Sequence, residues 1–138
     1  MNCLFCRIVA RTAEASVVHE DDRVIAFCDL FPVNPGHILV VPKLHATGLR
    51  DLEESDGGRV FAVARRLAAA IRATDLTCEG INLLVADGAA AGQEVFHLHL
   101  HVIPRHVGDG VRFTSGQPRT PSPRGELDAV ADRIRARL

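Results

Sequence analysis

Apolar and polar positions change period several times along the chain, and each change marks an element. The sharpest alternation runs from Val95 to Arg105, VFHLHLHVIPR. Successive strand side chains point to opposite faces, so this spacing predicts a strand with His97, His99 and His101 on one face. Phe96, Leu98, Leu100 and Val102 would then share the other, core-facing side. Ser16–Glu20 and Arg23–Asp29 are β-rich runs divided by Asp21-Asp22, the signature of a hairpin. The run His37–Pro42 (HILVVP) is a strong strand bounded by Gly36 and Pro42. These strands predict an antiparallel meander. Gly80–Val85 (GINLLV) predicts a further strand.

From Val60 to Ala73 the period shifts. Val60, Val63, Ala64, Leu67, Ala68 and Ile71 recur at helical spacing, with Arg59, Arg65, Arg66 and Arg72 mostly off that stripe. This predicts the longest amphipathic helix, packed on one sheet face. Leu4–Arg11 is read as a turn or two of helix. Glu126–Leu138 regains helical spacing through Leu127, Val130, Ile134 and Leu138. The 108–124 stretch, rich in Gly, Pro, Ser and Arg, is read as an extended loop. No internal repeat or domain linker interrupts the pattern, and 138 residues suit a single domain.

Composition narrows the function classes. Hydrophobic residues make up 47% and charged residues 24%, as expected of a soluble globular protein with a real core. A net charge of -1 argues against a general nucleic-acid binder. Six Phe with no Trp or Tyr leaves little for base stacking on an aromatic platform. No run approaches transmembrane length and no apolar leader opens the chain, so the expectation is a cytoplasmic protein. In that compartment four Cys are thiols or metal ligands rather than disulfides. Cys28 and Cys78, each inside an apolar segment, are expected to be buried thiols.

The candidate chemistry centres on the histidines, seven in all. Three imidazoles about 7 Å apart along one strand face bind a metal, bind an anion or do chemistry. Just before them lies Ala86–Glu94, ADGAAAGQE. Gly88 and Gly92 allow close backbone approach, and successive N–H groups in such a loop form an anion site. Gln93 adds a neutral donor. A neutral imidazole is a competent nucleophile near pH 7, and a second can serve a leaving group or phosphate oxygens. His19 and His106 have weaker claims. The arginines of the last third, Arg119, Arg124, Arg133, Arg135 and Arg137, are most simply solvated charge; the alternative is contact with an extended polyphosphate.

G-Q followed by H-φ-H-φ-H-φ-φ, with AFCDLFPVNPGHILVVPKLH upstream, resembles the histidine-triad (HIT) superfamily of nucleotide hydrolases and transferases, in its compact bacterial Hint-like branch. The similarity runs to about Arg105, so residues 1–105 would be the core with the nucleotide site and 106–138 a variable loop and helix. The resemblance implies an α+β fold, an antiparallel sheet of about five strands with the long helix and a C-terminal helix, in a single HIT domain. It also implies a homodimer with no nucleic-acid or membrane partner. It assigns His99 as the nucleophile at the α-phosphorus, His101 as the phosphate and leaving-group contact, and His37 as the buttress of a proton relay. Asp29 would bind the ribose hydroxyls, Phe27, Leu30 and Phe31 would enclose the base, and Gly92 and Gln93 would form the phosphate loop. The implied substrate is a purine, most simply adenosine, nucleotide conjugate: a phosphoramidate first, a dinucleoside polyphosphate second. No catalytic cofactor is required. A low-turnover nucleotide-binding regulatory module is the alternative. Two positions depart from the pattern. Ala86 stands where many relatives have Asn, and Glu94 where many have Ser or Thr.

Cys3-x-x-Cys6 has metal-ligand spacing but is half a site, which two imidazoles could complete. In some bacterial HIT proteins the partners are a histidine after the V-x-P strand and the first of the triad. Here those are His45 and His97, and a closed Cys2His2 set implies a structural zinc.

Overall fold

The structure, a computed structural model, describes residues 2–113 and 119–138. Five strands form one antiparallel sheet: β1 (Val17–Glu20), β2 (Val24–Cys28), β3 (Ile38–Pro42), β4 (Gly80–Val85) and β5 (Leu100–Arg105). Their order is β1-β2-β3-β5-β4, so the β1–β3 meander continues into β5 and β4 closes the far edge. Three helices pack on the sheet: α1 (Leu4–Val9), α2 (Glu54–Arg72) and α3 (Arg124–Arg135). The expected α+β architecture, with its long amphipathic helix and C-terminal helix, is the observed one.

Strand alternation divides the core into two layers. Val24, Ala26, Cys28, Ile38, Val40, Leu100 and Val102 point toward α2 and α3. Ile25, Phe27, Leu39 and Val41 point to the opposite face, against Phe5 and Ile8 of α1. β2 and β3 are therefore buried at every position, which is why they read as unbroken apolar runs. β4 is different: Leu83 and Leu84 stay 40% and 39% exposed on this edge.

Several boundaries differ from expectation, the ends of α1 and α3 among them, at Val9 rather than Arg11 and at Arg135 rather than Leu138. The long helix starts at Glu54, six residues before Val60, because Glu54 and Asp56 suit a first helical turn although the segment is polar. The histidine strand starts at Leu100, not Val95. Across residues 95–99 other hydrogen bonds replace the strand ladder. Leu98 N–H donates to the Ala46 carbonyl at 2.7 Å, and His97 and His99 side chains take the Pro42 and His97 carbonyls. Phe96 consequently misses the core and is 48% exposed. Of the expected loop over 108–124, residues 114–118 lie outside the described residues, and its last residue, Arg124, already opens α3. Cys28 is buried as expected, whereas Cys78 is half-buried.

Candidate active site and metal centre

Residues from four parts of the chain meet on the α1 side of the sheet. His37 enters β3, His101 sits in β5 opposite Leu39, His99 lies one residue before β5, and Asp29 follows β2. His99 and His101 rings are 4.9 Å apart, and His37 and His101 rings 5.1 Å. The three imidazoles of the H-x-H-x-H run look alike in sequence. Their hydrogen-bond partners make them three different reagents.

His97 is wholly buried, and its Nε2 lies 2.7 Å from the Pro42 carbonyl. A carbonyl only accepts, so Nε2 carries the proton and Nδ1 keeps a lone pair. That lone pair faces Cys3 Sγ at 3.4 Å, Cys6 Sγ at 3.5 Å and His45 Nδ1 at 3.2 Å. Cys6 Sγ is also 3.4 Å from His45 Nδ1. In a tetrahedral zinc site, ligands about 2.0–2.3 Å from the metal stand about 3.3–3.8 Å from each other. These four separations have about the spacing of tetrahedron edges, all four ligand atoms lie within 4.8 Å of one another, and the donor set suits zinc. Cys3 also caps α1, its Sγ accepting from Cys6 N–H at 3.4 Å.

His99 is 7% exposed, and its Nδ1 lies 2.8 Å from the His97 carbonyl. By the same argument Nδ1–H is the donor and Nε2 presents a free lone pair. Burial pushes its pKa down, with the His97 carbonyl and the charges of Asp29 and Glu94 opposing. Phe5 packs edge-on against it at 5.1 Å and against Phe27 at 5.4 Å. Phe5 was not singled out from the sequence, although its place inside Cys3-x-x-Cys6 marks it.

His101 completes the set through His37. Val33 N–H donates to His37 Nδ1 at 3.1 Å, so His37 carries its proton on Nε2. That Nε2–H points at His101 Nδ1 at 2.9 Å, with Asp29 Oδ2 at 3.3 Å. His101 must then accept at Nδ1 and bear its proton on Nε2. Burial lowers the His37 pKa to about 4 and that of His101 to about 3. Asp29, His37 and His101 also lie within metal-binding reach of one another. The tautomers argue against an ion there, since His37 would have to lose its Nε2 proton while Nδ1 already accepts. This cluster is a hydrogen-bond relay.

The loop residues sort less simply. Gly88 and Gly92 have φ of 96° and 90°, so both turns require glycine-like freedom. Gln93 is 5% exposed and its amide is committed to the backbone. Its Oε1 accepts from Gly88 N–H at 2.7 Å, and its Nε2 donates to the Thr47 and Val95 carbonyls at 2.7 and 3.1 Å. It shapes the loop rather than offering a free donor. Asp29 Oδ1 accepts from Phe31 N–H at 2.9 Å. Phe27 is 3% exposed, while Leu30 and Phe31 are each 39% exposed, so only the latter two are open to a ligand. Ala86 is half-buried and Glu94 exposed. His19 pairs with Asp21 at 2.8 Å, away from this cluster. A cavity of about 700 Å³, lined by Cys28, His37, Leu76, His106, Leu127 and Val130, lies on the α3 side and contains neither His99 nor His101. No described helix is long and apolar enough to cross a membrane.

This fold and this arrangement of histidines define the histidine-triad class, and comparison with known proteins agrees. The family model for the HIT domain matches residues 10–108, and the chain belongs to that family. It is 41% identical over 116 residues to an uncharacterized HIT-like protein of Borreliella burgdorferi, covering 83% of this chain and 84% of that one. A zinc-bound histidine-triad family protein of Mycobacterium smegmatis superposes with a TM-score of 0.86 at 38% identity, over 99% of this chain and 92% of that chain. A hypothetical histidine triad nucleotide-binding protein of Sulfolobus tokodaii gives 0.84 at 33%, over 97% and 90%.

Proposed function

We propose that the protein is a nucleotide hydrolase or transferase acting at the α-phosphate of purine nucleotide conjugates, phosphoramidates first, with His99 as the nucleophile. One observation carries the reading: the His97 carbonyl holds the proton of His99 on Nδ1 at 2.8 Å and leaves Nε2 free to attack. The Nε2–phosphorus bond forms as the bond from phosphorus to the leaving nitrogen breaks. The departing amine keeps the bonding pair and takes up a proton from water. In the second step a water attacks phosphorus, the Nε2–phosphorus bond breaks, and that water gives a proton back to solvent. His101 Nε2–H, held by the His37 relay, donates to a phosphate oxygen. Asp29 with Leu30 and Phe31 accepts the nucleoside, with adenosine the simplest occupant, and the Gly88–Gly92 turn faces the phosphate.

Cys3, Cys6, His45 and His97 would hold a structural zinc, as expected from the donor chemistry and in keeping with the zinc-bound mycobacterial relative. A closed set of four ligands supplies no reactive position, and its role is to tie α1 to the segment carrying His99. The exposed Leu83 and Leu84 on the unpaired edge of β4 support a homodimer joined along that edge, a state that light scattering on the purified protein reads directly.

Single-turnover labelling with an adenosine phosphoramidate tests the reaction: a nucleotidyl adduct in the wild type and none in His99→Ala. Equal inertness of both proteins overturns it. The second reading, a nucleotide-binding module with little turnover, is favoured by Glu94, whose carboxylate stands where a hydroxyl would serve the leaving group. Tight AMP binding by calorimetry without hydrolysis of any conjugate, dinucleoside polyphosphates included, would select it.

A further inference from the structure

The C-terminal segment does not run free of the site. Ser122 N–H donates to the Leu30 carbonyl at 2.9 Å, and Arg119 Nη1 donates to the Phe31 carbonyl at 3.3 Å. These two bonds lay residues 119–122 alongside the Asp29–Phe31 loop. They bring a guanidinium to the edge of the histidine cluster. Arg119 is exposed, and among the described residues no carboxylate lies within 4.0 Å of it. Among the described residues one of its five N–H donors is used. Its charge is felt at two of the histidines, opposing protonation of both His37 and His101.

The rest of the site is short of positive charge. Gln93 is committed to backbone carbonyls, His37 Nε2–H is spent on His101, and Asp29 and Glu94 are acidic. A phosphate entering between His99 and His101 would therefore meet few uncommitted donors and two carboxylates, and among the described residues Arg119 is the cation whose charge reaches the relay.

We propose that Arg119 is a substrate-binding residue that supplies the positive charge for the α-phosphate, making residues 119–122 one wall of the nucleotide site. The proposal rests on the nucleotide reading above. A guanidinium recognises a phosphate through parallel N–H donors, a geometry Lys does not reproduce. The guanidinium is held by the Phe31 carbonyl and its segment by the Leu30 carbonyl, so the charge reaches the site without a dedicated ion pair.

The test separates charge recognition from loop support. Kd is measured for AMP and for adenosine by calorimetry on wild type, Arg119→Gln and Arg119→Lys. The wild type is expected to bind AMP more tightly than adenosine. Arg119→Gln is expected to lower that ratio about tenfold, and Arg119→Lys by about threefold. Raising salt should shrink the wild-type ratio and leave that of Arg119→Gln nearly unchanged. If Arg119→Gln weakens AMP and adenosine equally, Arg119 merely props the Phe31 loop and the proposal falls. An unchanged ratio also overturns it. Failure of the wild type to bind either ligand overturns the nucleotide reading itself, and this proposal with it.

Discussion

Two clusters of imidazole and anionic side chains lie at the two ends of the histidine run, and they behave as opposites. Cys3, Cys6, His45 and His97 bring their ligand atoms within 4.8 Å of one another, and so do Asp29, His37 and His101. Composition and distance alone would call both metal centres. The protons separate them. At the first, the Pro42 carbonyl holds the His97 proton on the far nitrogen and turns a lone pair inward. At the second, Val33 N–H fills the His37 lone pair and turns a proton inward. One cluster converges acceptors on a point, and the other chains donors to acceptors. His99 sits between them and borrows from the first, because the carbonyl that sets its tautomer belongs to His97.

The largest expected effect comes from removing the proposed nucleophile between the two. His99→Ala should lower turnover at least about a thousandfold while metal content measured by mass spectrometry stays unchanged. Loss of metal in that variant would show that the two functions are not separable. Next is the converse. Cys6→Ser should empty the zinc site and cost at least about 3 kcal/mol of stability, the scale of a ligand bound well above its Kd. His37→Asn should keep the wild-type metal content, since the tautomers of the relay leave no converging lone pairs for an ion. Equal melting temperatures for metal-loaded and metal-stripped wild type would break this half of the comparison.

The pH response sharpens it further. His37 titrates near 4 and His101 near 3 in the folded chain, against an ordinary value of 6.5. Below 6.5 the unfolded chain binds protons that the native state refuses, so stability is full above that pH and falls as pH drops toward 4 and 3. Thermal melts from pH 7.5 to 4.5 should show this decline, and His37→Asn should flatten part of it. A wild-type profile that is level over that range would mean that the relay is not buried and neutral. The smallest effect is expected at Glu94. Glu94→Gln should raise turnover of dinucleoside polyphosphates relative to neutral-amine phosphoramidates by about two- to fivefold, the size of an exposed charge interaction. An unchanged ratio would place the carboxylate away from the leaving group.

Much of the fold was legible. Strands β1 to β4 fall within a residue of their expected bounds because period-2 runs or unbroken apolar runs between Gly, Pro and Asp punctuation leave few alternatives. The start of α2 was not, because Glu54–Arg59 carries no apolar stripe to read. The start of β5 was not, because alternation shows which side a residue faces but not whether its backbone finds a neighbouring strand. The candidate metal set and the histidines of the triad were named through resemblance to the family, and the structure brings each group together. Phe5 was hidden in a segment read for its cysteines, and Arg119 in a run read as solvated charge.

The sequence by itself determined the kinds of element, their order along the chain and the candidate reactive side chains, since periodicity and motif spacing are local properties. Only the tertiary structure decided what each reactive side chain is. The protons on His97, His99, His37 and His101 are placed by Pro42, His97, Val33 and His37, partners brought in by strand pairing and loop closure. The same closure ties up Gln93 and carries Arg119 to the edge of the site. An imidazole has two nitrogens and one proton, and which nitrogen is free depends on the groups that folding sets beside it.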